Sequence, residues 1–205
     1  MNTEYRVAKM EDLPTLEELI PLSARKLQTG YYSPVQLDGA IGTVFGVDTQ
    51  LIRDGTYFVA VSDGQIVGCG GWSKRKTLYG GDKGKTADDP LRDPSIEPAM
   101  IRAFFVHPEF ARRGIGREFV RLSESAAFAA GFHGIDIVAT LAGEPLYASC
   151  GYSVVERYAI TLVNGALMPV LRMQRRKEPP PEPTPTAGTS PAEQARVPAA
   201  GVAHL

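Results

Sequence analysis

Hydrophobic and polar positions alternate along the chain in two distinct periods, and the elements they predict follow one another as strand and helix. Tyr5-Arg-Val-Ala-Lys9 reads as a short first strand. Glu11 and Asp12 open a helix with Pro14 in its first turn and Leu13, Leu16, Leu19 and Ile20 along one side. A second helical region spans Pro34 to Arg53 and is interrupted by Gly39, Gly42 and Gly46. Two strands, Thr56 to Val61 and Gln65 to Trp72, flank Asp63-Gly64, a two-residue hairpin signal. A third, Met100 to Val106, is followed by a helix with Ile115, Phe119, Leu122, Ala126 and Ala129 on one stripe, ending at Gly131. Gly134 to Ala139 is a further buried strand, and Glu144-Pro145 starts a short helix that stops at Gly151. Val154 to Val163 and Ala166 to Met173 form a last hairpin, with Asn164-Gly165 as its expected two-residue turn.

Two segments fall outside this alternation. Ser73 to Pro98 is polar and rich in Gly, Lys and Asp, with Lys74, Arg75, Lys76, Lys83 and Lys85 set against Asp82, Asp88, Asp89 and Asp93. A loop of that length inside a compact domain is functional or disordered. From Glu178 onward the chain holds seven of its 16 prolines and no aromatic residue. That composition cannot bury enough apolar surface to offset ordering entropy, so residues 178–205 are expected to be a disordered, Pro-rich tail after one domain, 1–177.

Composition narrows the function classes. A formal net charge of -1 argues against a general nucleic-acid binder. No apolar run approaches the roughly 18 to 20 residues of a membrane span, and the N-terminal residues lack a signal-peptide core. Cys69 and Cys150 show neither a disulfide framework nor metal-ligand spacing. The expectation is a cytoplasmic protein with no metal, no membrane partner and no nucleic-acid partner.

The segment richest in chemistry is Ile101 to Arg117. It runs from a buried strand through a short turn into a helix whose first turn carries Gly114 and Gly116. Such a start leaves backbone N–H groups without partners and aims them at one spot, where the helix dipole also favours an anion. Arg112, Arg113 and Arg117 add cationic side chains around it, so the turn reads as a phosphate or pyrophosphate site. Neither a Gly-x-x-x-x-Gly-Lys loop nor a full dinucleotide fingerprint is present, which argues against a nucleotide binder.

With Ala111-Arg-Arg-Gly-Ile-Gly116, and with Leu146-Tyr-Ala-Ser-Cys-Gly-Tyr152 after the next strand, the chain resembles the GNAT superfamily of acyl-CoA-dependent N-acetyltransferases over roughly Tyr5 to Arg175. The family turn reads Arg/Gln-x-x-Gly-x-Gly/Ala, and its later signature Phe-Tyr-x-x-x-Gly-Phe. Ala111 departs from the first position, mildly, because main-chain N–H groups hold the pyrophosphate. The resemblance implies an α/β (α+β) fold, with a mixed, mostly antiparallel central sheet flanked by helices and a splayed central strand pair that binds acyl-CoA. It implies acetyl-CoA as cosubstrate and acetyl transfer to a small-molecule or protein amine by direct attack in a ternary complex. Backbone groups of Arg112, Arg113, Gly114, Ile115, Gly116 and Arg117 would anchor the pyrophosphate, and Phe104, Phe105 and Val106 would face the pantetheine arm and thioester.

Tyr147 is the candidate general acid, since a phenol with a pKa near about 10 can protonate a departing thiolate near about 8.5. The family's glutamate would align with Met100, so the base is open: Glu97 acting through water, or solvent itself. Arg102, a charge in an interior strand, needs a partner or access to the cleft. Tyr31, Tyr32 and Trp72 fall in regions that border the acceptor cleft of this fold. A non-catalytic acyl-CoA-binding module is the alternative, and a homodimer paired through the last hairpin is possible.

Overall fold

In the computed structural model, which describes residues 3–84 and 89–176, seven strands form one sheet in the order β1-β2-β3-β4-β5-β7-β6. The strands are β1 Thr3–Val7, β2 Tyr57–Ser62, β3 Gln65–Ser73, β4 Ala99–Val106, β5 Gly134–Thr140, β6 Ser153–Thr161 and β7 Leu167–Arg176. The helices are α1 Leu13–Leu27, α2 Pro34–Ala40, α3 Thr49–Arg53, α4 Ile115–Ala129 and α5 Glu144–Ser149. The expected tail, 178–205, lies outside the described residues, as do Lys85 and Asp88 of the long loop.

Every neighbouring pair in the sheet is antiparallel except β4 with β5. Those two run parallel and pair at Ala99–Ile135 and Met100–Asp136, then part. From Ile101 onward the β5-facing edge of β4 therefore carries main-chain groups with no strand beside them. That edge is where a ligand can add itself to the sheet.

Helices cover both faces. On one, Leu16, Leu19 and Ile20 of α1 share a core with Phe105, Tyr57 and Val170. On the other, Val120 and Ala127 of α4 share a core with Ile101, Ile135 and Leu171. The buried line of α4 is Ile115, Phe119, Ser123 and Ala127, with Val120 beside it, so the helix is rotated from the stripe expected over Leu122, Ala126 and Ala129. The spacing of four was the true signal, and fully buried Ser123 hid it by reading as polar.

Simple alternation fails on β4 because the strand carries a bulge. Cys69 faces Phe105 and Gly71 faces Arg102, so β4 spends one more residue than β3 over the same length. Ala103 absorbs the extra residue at φ 55°, a left-handed conformation unusual for a side chain with a Cβ. Its carbonyl accepts a 2.8 Å hydrogen bond from the hydroxyl of fully buried Tyr57. The slip puts Ile101 and Phe104 together on the α4 face and leaves Phe105 on the α1 face. Gly70 makes room for this, since a Cβ there would meet the Phe104 ring at 2.5 Å.

The two hairpins end differently. Asp63 and Gly64 both have positive φ, as the two-residue turn expected there requires. The last hairpin closes with three residues rather than two. The Leu162 N–H donates to Ala166, Gly165 donates back to Leu162, and Gly165 takes the left-handed position.

The bulge is testable. Ala103→Gly is expected to be neutral or stabilising in urea denaturation, because it removes left-handed strain at the site. Ala103→Val, with a branched Cβ at the same φ, is expected to cost about 1–3 kcal/mol.

Candidate active site

One cavity of about 880 Å³ occupies the gap between β4 and β5 and extends beyond the sheet on both sides. Every residue of β4 from Ile101 to Val106 lines it, as do Ile137 to Thr140 on β5. At one end stand Phe110, Ala111, Arg112 and Gly114 to Arg117; in the wall between stand Leu146 and Tyr147; at the other end are Leu27, Tyr31, Phe45, Leu78 and Tyr79.

The turn before α4 is built to present main-chain N–H groups. Arg112 and Gly114 are both left-handed, at φ 63° and 89°. The first helical bond is donated by Glu118 to the Gly114 carbonyl at 3.0 Å, so the N–H groups just ahead of it are those that a helix start leaves for a ligand. A Cβ on Gly114 would meet no atom within 4 Å, so the space beside it is open for an anion. Gly116 has a different reason to lack a side chain: a Cβ would meet Leu146 Cδ2 of α5 at 2.9 Å. Its contribution is close packing of α5 on α4 rather than approach to the anion. Arg112 and Arg117 line the cavity, and the Arg113 guanidinium lies 4.9 Å from the Phe110 ring centroid.

On β4, Phe104 packs its ring 6.0 Å from that of Tyr147, and Phe105 packs 6.0 Å from Phe45. The Val106 N–H donates to Ser23 Oγ of α1 at 3.1 Å, which fixes the end of the strand to that helix. Tyr147 is buried in the cavity wall, and among the described residues its hydroxyl makes no hydrogen bond. Burial raises its pKa well above that of an ordinary phenol, with the neighbouring Cys150 adding to the shift. The hydroxyl is held protonated.

Glu97 stands elsewhere. It lines a smaller cavity of about 310 Å³ with Arg92, Met100, Asp136, Arg172 and Arg176; Leu78 and Val138 line both cavities. Its carboxylate accepts the Asp93 N–H at 2.8 Å and lies 3.5 Å from Lys76 Nζ. The Asp93 bond first, then Lys76, hold its pKa below the usual carboxylate value.

Arg102 finds its partner inside the protein. It donates to Asp48 Oδ2 at 2.8 Å, to the Gly80 carbonyl at 2.7 Å and to the Thr77 carbonyl at 2.9 Å. Both side chains of the ion pair are essentially sequestered, 2% and 0% exposed. Burial works against the guanidinium charge and Asp48 sustains it. Gly81 and Asp82 add main-chain bonds to Thr43 and Val47, so the loop that carries Leu78 and Tyr79 is pinned from two sides.

Tyr31 lines the cavity, half-exposed at its mouth. Tyr32 is buried and bridges strands, donating to the Pro169 carbonyl at 2.7 Å and accepting the Leu141 N–H at 2.9 Å. Trp72 is core, edge-on to Phe132. Ser23 and Asp48 carry no motif that marks them. In the structure Asp48 caps α3, accepting from the Gln50 N–H at 3.1 Å, and its partner Arg102 lies 54 residues away.

Residues 53–154 match the family model for the acetyltransferase (GNAT) domain. No curated protein matches the chain. Among solved structures it is similar to a GCN5-related N-acetyltransferase from Rhodopseudomonas palustris, at TM-score 0.64 and 19% identity over 86% of this chain and 96% of that one. The yncA protein of Salmonella typhimurium, solved with acetyl-CoA, gives 0.59 and 17% over 91% and 100%. A phosphinothricin acetyltransferase from Sinorhizobium meliloti, also with acetyl-CoA, gives 0.57 and 18% over 93% and 97%.

The buried ion pair is testable apart from any activity. Arg102→Met removes the cation facing a fully buried carboxylate and is expected to cost about 3–5 kcal/mol in chemical denaturation. Limited proteolysis of the same variant should cut first between residues 77 and 82.

Proposed function

The chain belongs to the GNAT superfamily, and on that footing we propose that it transfers an acetyl group from acetyl-CoA to a primary amine, both substrates being bound together. The observation that carries this reading is the single cavity that joins the N–H-rich turn at Gly114 to an apolar chamber through the parted strands β4 and β5, with Tyr147 in its wall.

The residues present suit the cosubstrate. N–H groups between Arg112 and Arg117 and the open space beside Gly114 accept a pyrophosphate, and Arg112 and Arg117 neutralise its charge. The free edge of β4 at Phe104, Phe105 and Val106 offers main-chain groups to an extended amide-bearing arm, as an edge strand offers them to a peptide. The Val106 N–H is committed to Ser23, so its carbonyl and its neighbours carry that role. Acetyl-CoA, when bound, supplies the activated acetyl group.

Tyr147 is the proton donor to the departing sulfur. A phenol of raised pKa stays protonated through neutral pH but is a weaker acid than a free one, so its part rests on the hydrogen bond it gives the developing thiolate, which the apolar wall strengthens. Deprotonation of the amine falls to water, with Glu97 as the acceptor beyond it in the adjoining smaller cavity. Its depressed pKa makes it a weak base, so the solvent route carries more of this step. The absence of a carboxylate at Met100 favours a second reading, a binding module without turnover.

Tyr147→Phe separates the two. For an enzyme, kcat is expected to fall by about 10²–10⁴-fold with acetyl-CoA affinity retained. The parent should show no alkaline limb in kcat from this group below about pH 10, because burial moves its pKa upward. Equal, negligible thioester loss in both proteins across a set of amines would favour the binding module.

A further inference from the structure

Acetyl transfer to an amine, taken as the premise, leaves the kind of amine open, and the chamber beyond β4 narrows it. Its walls include Leu27, Tyr31, Val44, Phe45, Leu78 and Met168, with Tyr79 and the neutral amide of Gln28, whose Oε1 has no hydrogen-bond partner among the described residues, as polar members. Among the described residues, no Asp, Glu, His or Lys lines the cavity at either end. Its arginines are accounted for. Arg112 and Arg117 belong to the phosphate turn, and Arg102 donates to Asp48, Thr77 and Gly80. The carboxylates of Glu97 and Asp136 are in the smaller cavity, on the other side of Leu78 and Val138.

Chemistry then discriminates among amines. An alkylammonium group, with a pKa near about 10.4, enters as a cation. Among the described residues no carboxylate lines the chamber to replace its lost hydration or take its proton. An amine already uncharged near neutral pH avoids both costs, and an aromatic body suits the aromatic and aliphatic walls. We propose that the acceptor is an apolar primary amine of low basicity, of the arylamine class. In the transfer, a C–N bond forms and the C–S bond breaks. The nitrogen gives one proton to water, and Tyr147 gives one to the thiolate and regains it from solvent.

The experiment compares p-toluidine, phenethylamine and Nα-acetyl-lysine amide with acetyl-CoA at about pH 7, following thiol release and product mass. Saturation-transfer NMR measures the binding of each amine to the protein without acetyl-CoA. The expected result is a kcat/KM for p-toluidine at least about 100-fold above that for the lysine amide, with saturation transfer to p-toluidine alone of those two. Between about pH 6 and 8 the p-toluidine rate should stay flat, while the phenethylamine rate rises about tenfold per pH unit with its neutral fraction.

Leu78→Glu, at an exposed loop position, places a carboxylate in the chamber and should shift the ratio toward phenethylamine. A lysine amide preferred over p-toluidine, or an unchanged ratio in Leu78→Glu, overturns the assignment while leaving acetyl transfer standing. Failure of the parent to bind acetyl-CoA removes the premise instead, and this assignment with it.

Discussion

Two residue pairs, Ala99 with Ile135 and Met100 with Asp136, are all the pairing that β4 and β5 share, and the rest of the molecule depends on where it stops. A parallel pair that continued would satisfy both edges and close the sheet. Because it ends, β4 from Ile101 to Val106 runs along one cavity with its β5-side edge unpaired. The bulge at Ala103 acts on the same stretch by turning Phe104 to the α4 face, where its ring packs near Tyr147. The left-handed strain at Ala103 is offset in part by the Tyr57 hydroxyl on its carbonyl.

Around that opening the two ends are held by different means. At the turn before α4 the backbone presents the N–H groups, and the local sequence needs only glycine and a helix start. At the opposite end a buried ion pair fixes a loop. Arg102 lies in the middle of β4, yet its charge serves structure, tying Asp48 to the carbonyls of Thr77 and Gly80. A buried charge consumed in this way leaves no Asp, Glu, Lys or His among the described residues that line this cavity.

This division explains what could be read from the residues. The order of elements, the turn around Gly114 and the hairpin at Asp63-Gly64 follow from local signals: glycine at positive φ, period-two and period-four patterns. Leu146 and Tyr147 both line the cavity wall. The rotation of α4 was missed because Ser123 is polar by type and buried by position. The role of Gly116 depends on Leu146, the role of Ser23 on Val106, and the partner of Arg102 on Asp48. Each of these is a contact between distant segments that no local pattern encodes. The third residue in the last hairpin loop likewise follows from how Leu162 and Ala166 pair rather than from the Asn-Gly signal.

The central claim is that the Gly114 turn and the parted strands form one acyl-CoA site. Calorimetric titration of acetyl-CoA into the protein, beside a Gly114→Glu variant whose fold is verified by circular dichroism, tests it most directly. The account requires saturable one-to-one binding by the parent and its loss in the variant, whose carboxylate would occupy the space meant for the anion. Equal binding by both proteins, or none by the folded parent, would contradict it.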